Sequence, residues 1–206
     1  SDKLAKACGF PVSFDNDAKA AAFGEYWVGR GREYRSMVLL TLGTGEGGGI
    51  IIDGNVLRGE NSHGAECGHL IIDCRDDARA CMCEQPGHLE GYASATAVVR
   101  RTTEALDAGT ESSLREPWQA GTKITAKRVY EHAKQGDPFA LEIILDTAKF
   151  LGIGITTLLH VIDPNAVVLG GAMDFGGAED EIGRQFLGRI RKEVDRRAFP
   201  VLSQRI

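Results

Sequence analysis

Apolar positions along the chain change period several times, and each change marks an element. Residues 12–17 (Val-Ser-Phe-Asp-Asn-Asp) read as a strand that ends in polar residues. An alanine-rich helix is expected over 18–28, with Asp17 as its cap. Met37–Leu42 and 49–53 are apolar runs of β type on either side of the glycine-rich 43–48. They predict a hairpin with an open, flexible turn. Helices are expected over 94–106 and 125–134, the second started by Thr125 or a neighbour. Asp137-Pro138 then supplies a cap and a first-turn proline for a helix that runs to about residue 160. Its Phe139, Ile143, Ile144, Ala148, Leu151, Ile155 and Leu159 cover a broad face, so it belongs at the centre of the core. Residues 165–171 form a short continuous apolar strand, the kind buried on both faces. Ile182, Phe186, Leu187, Ile190 and Val194 mark a closing amphipathic helix. Interleaved strands and helices make the class mixed α/β.

Composition narrows the functional classes. With 206 residues the chain can form one good domain or two small ones. A hydrophobic share of 43% beside 26% charged residues is that of a globular protein. A net charge of -5 offers no basic footprint for nucleic acid. The longest apolar stretch, 143–162, carries Asp146, Lys149 and His160, which argues against a membrane span. Five clustered cysteines, an odd number, suit a reducing compartment better than a secreted disulfide framework. The first residues, Ser-Asp-Lys-Leu-Ala-Lys, lack a signal-peptide pattern, so the expected location is the cytoplasm.

Candidate chemistry concentrates between residues 66 and 90. Glu66-Cys67-Gly68-His69 precedes Cys81-Met82-Cys83, and His88-Leu89-Glu90 follows. His69, Cys81, Cys83 and His88 offer two thiolates and two imidazoles, the donor set of a tetrahedral zinc site. Reduced core cysteines and an interior histidine satisfy the same spacing, and Cys67 or Cys74 can stand in for one ligand. Cys8, Cys67 and Cys74 read as small buried residues. Three further places carry chemistry more weakly. Asn16-Asp17 lies where a carboxylate at a helix start can take a proton from a bound hydroxyl, though a plain N-cap needs the same residues. The run 42–49 (Leu-Gly-Thr-Gly-Glu-Gly-Gly-Gly) exposes backbone N–H groups, and the Thr44 hydroxyl adds a donor. It is neither a Walker A loop nor a dinucleotide-binding fingerprint, and a purely structural turn has the same composition. Gly170-Gly171 follows a strand and precedes a helix, which suits a flat ligand as well as a tight turn.

The order of these pieces resembles the ROK family, which groups sugar kinases with sugar-responsive repressors. That resemblance implies an actin/hexokinase-like (ribonuclease H-like) ATPase fold. Residues 37–206 would be mostly its larger C-terminal domain, with the zinc loop at 66–90. Residues 1–36 would be the end of the smaller N-terminal domain and a crossover helix. The implied activity is transfer of the γ-phosphoryl group of ATP, with Mg2+, to a hexose hydroxyl, the 6-hydroxyl of glucose first among them. Asp17 matches the general base. Asn16, Glu66, His69 and Glu90, with Asp17, match the residues that bind the sugar. Gly43, Thr44, Gly45 and Gly47 match a phosphate loop, and Gly170 and Gly171 the adenosine side. His69, Cys81, Cys83 and His88 match a structural zinc site, with His88 where the family usually has cysteine. Glu84 replaces the glycine usual after the second cysteine, which bears on the local turn. A homodimer is also implied.

Two departures from the family pattern matter. The Asp-x-Gly-Gly-Thr phosphate loop that opens the family is absent from this sequence, and so is the final strand–helix segment. The chain is therefore expected to be a piece of a longer kinase and not to turn over sugar alone. The alternatives are the sugar-sensing domain of a repressor and a zinc-stapled binding module without catalysis.

Overall fold

Residues 2–12 and 14–205 are described by a computed structural model. Four strands, β1 (Met37–Leu42), β2 (Glu46–Ile52), β3 (Asn55–Val56) and β4 (Ala166–Gly170), form one sheet in the order β3-β2-β1-β4. β1 and β2 are antiparallel, with Leu42 opposite Glu46, and β1 runs parallel to β4, with Met37 opposite Ala166. The helices are α1 (Asp2–Cys8), α2 (Asp17–Val28), α3 (Glu90–Ala93), α4 (Ala95–Asp107), α5 (Arg115–Gln119), α6 (Ala126–Lys134), α7 (Pro138–Ile162), α8 (Glu181–Arg197) and α9 (Pro200–Ser203).

Strand alternation divides the core in two. Val38, Leu40, Leu42 and Ile50 face a large cluster built on α7, with contributions from α4, α6 and α8. Met37, Leu39 and Ile51 face the opposite way and pack with Ala22 of α2. The 25 residues of α7 span about 38 Å at the usual rise, so the helix crosses the whole domain. Asp137 caps it by accepting from Ala140 N, and Pro138 occupies its first turn. Ile144, Ala148 and Leu151 are fully buried on it, and each large side chain so buried contributes about 1.5–3 kcal/mol.

Several sequence expectations are corrected. Residues 12 and 14–16 form no strand; Ser13 lies outside the described residues. The cap of α2 is Asn16, not Asp17: its side chain accepts from Ala18 N at 3.0 Å and Lys19 N at 3.1 Å. Asp17 Oδ1 also accepts from Ala18 N, at 2.9 Å, so of its carboxylate only Oδ2 has no hydrogen bond among the described residues. The hairpin turn is short rather than open, because β2 begins at Glu46 and only residues 43–45 turn. β4 is half-buried at all five positions, not sealed on both faces, because it is the edge strand of the sheet. Cys67 is buried as expected, but Cys8 and Cys74 are exposed.

The glycines of β2 serve close packing. A Cβ on Gly47 would lie 2.7 Å from Ala18 Cβ, and one on Gly49 would meet Ala22. On the other face, a Cβ on Gly48 would strike the Cys67 side chain. Side chains at 47–49 would therefore push α2 off one face and the 67–69 turn off the other.

Candidate functional site

Short-range pairing folds residues 66–90 onto themselves. Isolated bridges join Ile71 to His88 and Ala80 to Pro86, and Leu89 N donates to Leu70 O at 2.8 Å. A tight turn over 81–85 is closed by Glu84 N donating to Cys81 O at 3.0 Å, and Cys81 N donates to Gln85 O at 2.9 Å. Glu84 enters the left-handed region (φ 69) to complete it, the conformation that suits glycine.

These pairings gather His69, Cys81, Cys83 and His88 so that their donor atoms all lie within 4.8 Å of one another. Nδ1 of His69 is 3.1 Å from Nδ1 of His88, 3.9 Å from Cys81 Sγ and 3.7 Å from Cys83 Sγ; Cys83 Sγ is 3.3 Å from His88 Nδ1. Around zinc, with bonds of about 2.0–2.3 Å, the edges of a ligand tetrahedron are about 3.3–3.8 Å. The donor set and its spacing therefore fit zinc. Burial and a hydrogen bond to Glu90 push the Cys81 thiol up to about 12, so its thiolate form needs a cation's charge beside it. Burial, then the proximity of His69, lowers the His88 pKa and favours the neutral, ligating imidazole. Cys67 and Cys74 stand outside the group. Burial, with Glu46 and Glu66 nearby, pushes the Cys67 thiol up to about 12 as well.

Glu90, at the start of α3, joins this cluster to the glycine turn. Cys81 Sγ donates to its Oε1 at 3.0 Å, and its Oε2 accepts from Glu46 N at 3.0 Å. The turn is also held by α4: Ala95 N donates to Gly43 O at 2.9 Å, and Thr96 Oγ1 to Thr44 O at 2.7 Å. Its backbone is thus fixed from two sides.

A pocket of about 460 Å³ opens over this turn. It brings together Asp17, Gly43, Thr44, Gly45, Gly47, Glu90 and Gly171. Gly171 has φ 103, and a Cβ there would sit 2.8 Å from Leu42 N, so no other residue fits this end of the pocket. Asn16, Glu66, His69 and Gly170 are not in its wall. Asn16 is used by the helix cap, Glu66 and His69 are exposed beside it in sequence with Cys67 and Gly68, and Gly170 ends β4 opposite Thr41. Two ties hold the neighbouring segment to α2 and to the residues just before it. Lys19 Nζ, on a nearly fully buried side chain, donates to Ser62 O at 2.6 Å, and Arg58 pairs with Asp15 at 2.8 Å. A groove of about 490 Å³ along β4 and α8 holds none of the candidate catalytic, binding or metal-ligating residues.

Nothing in the local pattern singles out Glu46. Its side chain is 6% exposed, and neither carboxyl oxygen has a hydrogen-bond partner among the described residues. Burial, then the charge of Glu90, raises its pKa well above the usual carboxylate range. A lone acid inside a glycine run looks like a solvated turn residue; only the antiparallel register with Leu42 turns it inward.

Comparison with known proteins gives the family. The model of the ROK family matches residues 1–203. A glucokinase of Halalkalibacterium halodurans is 39% identical over 176 residues, covering 85% of this chain and 53% of that protein. A xylose repressor of Caldicellulosiruptor bescii is 33% identical over 189 residues, covering 92% of this chain and 45% of the repressor. The chain thus spans about half the length of these relatives. Among solved structures, a ROK family glucokinase from Streptomyces griseus in complex with glucose and AMPPNP superposes with a TM-score of 0.76. It is 35% identical, with 95% of this chain and 61% of that one covered. With the sheet, the glycine turn and the Cys/His loop in this order, the chain belongs to the ROK family and has its actin/hexokinase-like fold.

Proposed function

We propose that this chain carries the sugar site and part of the nucleotide site of an ATP-dependent hexose kinase, with glucose as the substrate. The observation that supports this most is the shared pocket: Asp17 and the glycine turn line one cavity, and Glu90 links that cavity to the Cys/His cluster. In this reading the Asp17 carboxylate takes the proton of the sugar's 6-hydroxyl. That oxygen bonds to the γ-phosphorus of ATP, the bond from phosphorus to the β–γ bridging oxygen breaks, and ADP leaves. Asn16 secures the helix start that carries Asp17. Asn16, Glu66, His69 and Glu90 hydrogen-bond ring hydroxyls. Gly43, Thr44, Gly45 and Gly47 offer backbone and hydroxyl donors to the phosphates, and Gly170-Gly171 faces the adenosine. Mg2+ accompanies ATP and supplies charge neutralisation.

Zinc bound by His69, Cys81, Cys83 and His88 would fix the His69 ring through Nδ1 and leave Nε2 for a sugar hydroxyl. The glucokinase relatives support the kinase; the xylose repressor keeps a second reading open, a sugar-sensing domain that needs no nucleotide.

Calorimetric titration with glucose and with Mg2+–AMPPNP separates the two. Binding of both, with glucose affinity falling about tenfold or more in Glu66→Ala while AMPPNP affinity holds, is the result expected of the kinase. Sugar binding without nucleotide binding identifies the sensor, and binding of neither refutes both.

A further inference from the structure

The pocket over the glycine turn has a charge problem for a polyphosphate ligand. Its wall contains Asp17, Glu46 and Glu90 and, among the described residues, no lysine or arginine. Two recesses adjoin it. One of about 290 Å³ shares Thr44 with the pocket; another of about 270 Å³ shares Ala172 with it, and the two recesses share Ala126. Lys123 and Thr44 of the glycine turn thus line one and the same recess. Each recess contributes one cation, Lys123 in the first and Lys127 in the second. Lys127 is 3.8 Å from Glu131, its neighbour one turn along α6. Lys123 has no hydrogen bond or ion pair among the described residues. Its backbone is nevertheless anchored: Ile124 is 2% exposed in the core, and Thr125 caps α6 by accepting from Arg128 N at 3.1 Å. A charge held at the rim of the recess that opens on Thr44, without a partner of its own, is arranged for an anion on the glycine turn.

We propose that Lys123 contacts the polyphosphate of the nucleotide and supplies the positive charge that the acidic pocket lacks. This rests on the kinase reading above, which makes the glycine turn a phosphate site. A lysine suits the task because its ammonium acts as a mobile point charge on phosphate oxygens.

The test compares ATP with adenosine, which lacks phosphates, in titrations of wild type, Lys123→Ala, Lys123→Arg and Lys127→Ala at fixed ionic strength. Lys123→Ala should weaken ATP binding about tenfold, the worth of one charge-assisted contact, and leave adenosine binding unchanged. Lys123→Arg should retain most of the ATP affinity, and Lys127→Ala should have the smaller effect. Unchanged ATP affinity in Lys123→Ala overturns the assignment while leaving the kinase reading intact. Equal losses for ATP and adenosine also overturn it, since they would report altered packing. Wild-type protein that binds neither ligand overturns the kinase reading and this one together.

Discussion

Replacing Glu46 by glutamine should alter the pH dependence of stability in a way that no surface acid can. The carboxyl group lies on β2 opposite Leu42, with Gly68 packed over it so closely that a Cβ there would be 3.3 Å from Glu46 Cβ. Neither oxygen has a partner among the described residues, and burial, with Glu90 adjacent, raises the pKa. The folded chain therefore keeps a proton that the unfolded chain releases above the ordinary glutamate range. The contribution is fully present below the unfolded pKa and is lost as pH rises toward the folded pKa. Over that window stability falls by about 1.4 kcal/mol per pH unit, the full effect of one proton. Between pH 5 and 7 the loss is up to about 2.7 kcal/mol. Glutamine has nearly the same shape and no proton to lose. Urea midpoints of wild type and Glu46→Gln should nearly coincide at pH 4 and diverge by pH 7 to 8, the variant being more stable. Leucine removes the unpaired polar atoms as well, and should gain about 1–3 kcal/mol even at pH 5. Titrating groups remote from Glu46 are common to these proteins and cancel in the difference; Glu90 and Cys67, which feel the Glu46 charge, do not. Parallel pH profiles for wild type and Glu46→Gln would refute the reasoning, for then Glu46 titrates as it does in the unfolded chain.

Two further outcomes are expected. Elemental analysis should find about one zinc per wild-type chain and none in Cys81→Ala or His69→Ala, and a chelator should lower the wild-type melting temperature; well-folded wild type without metal would remove the zinc assignment. Glu84→Gly should raise stability by about 0.5–1 kcal/mol, or about 2 °C, because relief of the left-handed strain exceeds the added entropy of glycine in the unfolded chain. A lower melting temperature would show that the 81–85 turn costs Glu84 nothing.

Local pattern along the chain carries much of the scaffold. α7 is legible because its cap, its proline and its apolar face agree, and α4 and α6 because Ser94 and Thr125 sit at their starts. The Cys/His group is legible because its members are close in sequence as well as in space. Residues 12–17 mislead because alternation over so few positions is weak evidence, and Asn16 and Asp17 are equally good caps by type. The glycine run misleads for a different reason. Absence of a side chain looks the same whether it serves a turn, as at residues 43–45, or close packing, as at 47–49. The inward Glu46 and the adjoining recesses depend on register and on distant segments meeting, which local pattern does not encode.

The packing of β2 also limits how the pocket can be remodelled. Gly45, Gly47, Gly48 and Gly49 abut Glu90, Ala18, Cys67 and Ala22 respectively, so three parts of the chain (α2, the 67–69 turn and α3) converge on five residues of backbone. An engineer who sought a new sugar preference by enlarging side chains there would be dismantling the frame that carries the pocket. Variation has room at the periphery, in exposed positions such as Glu66 and Lys123, whose side chains make no hydrogen bond or ion pair among the described residues. The floor of this pocket is a fixture, and its specificity can be rewritten only around the edge.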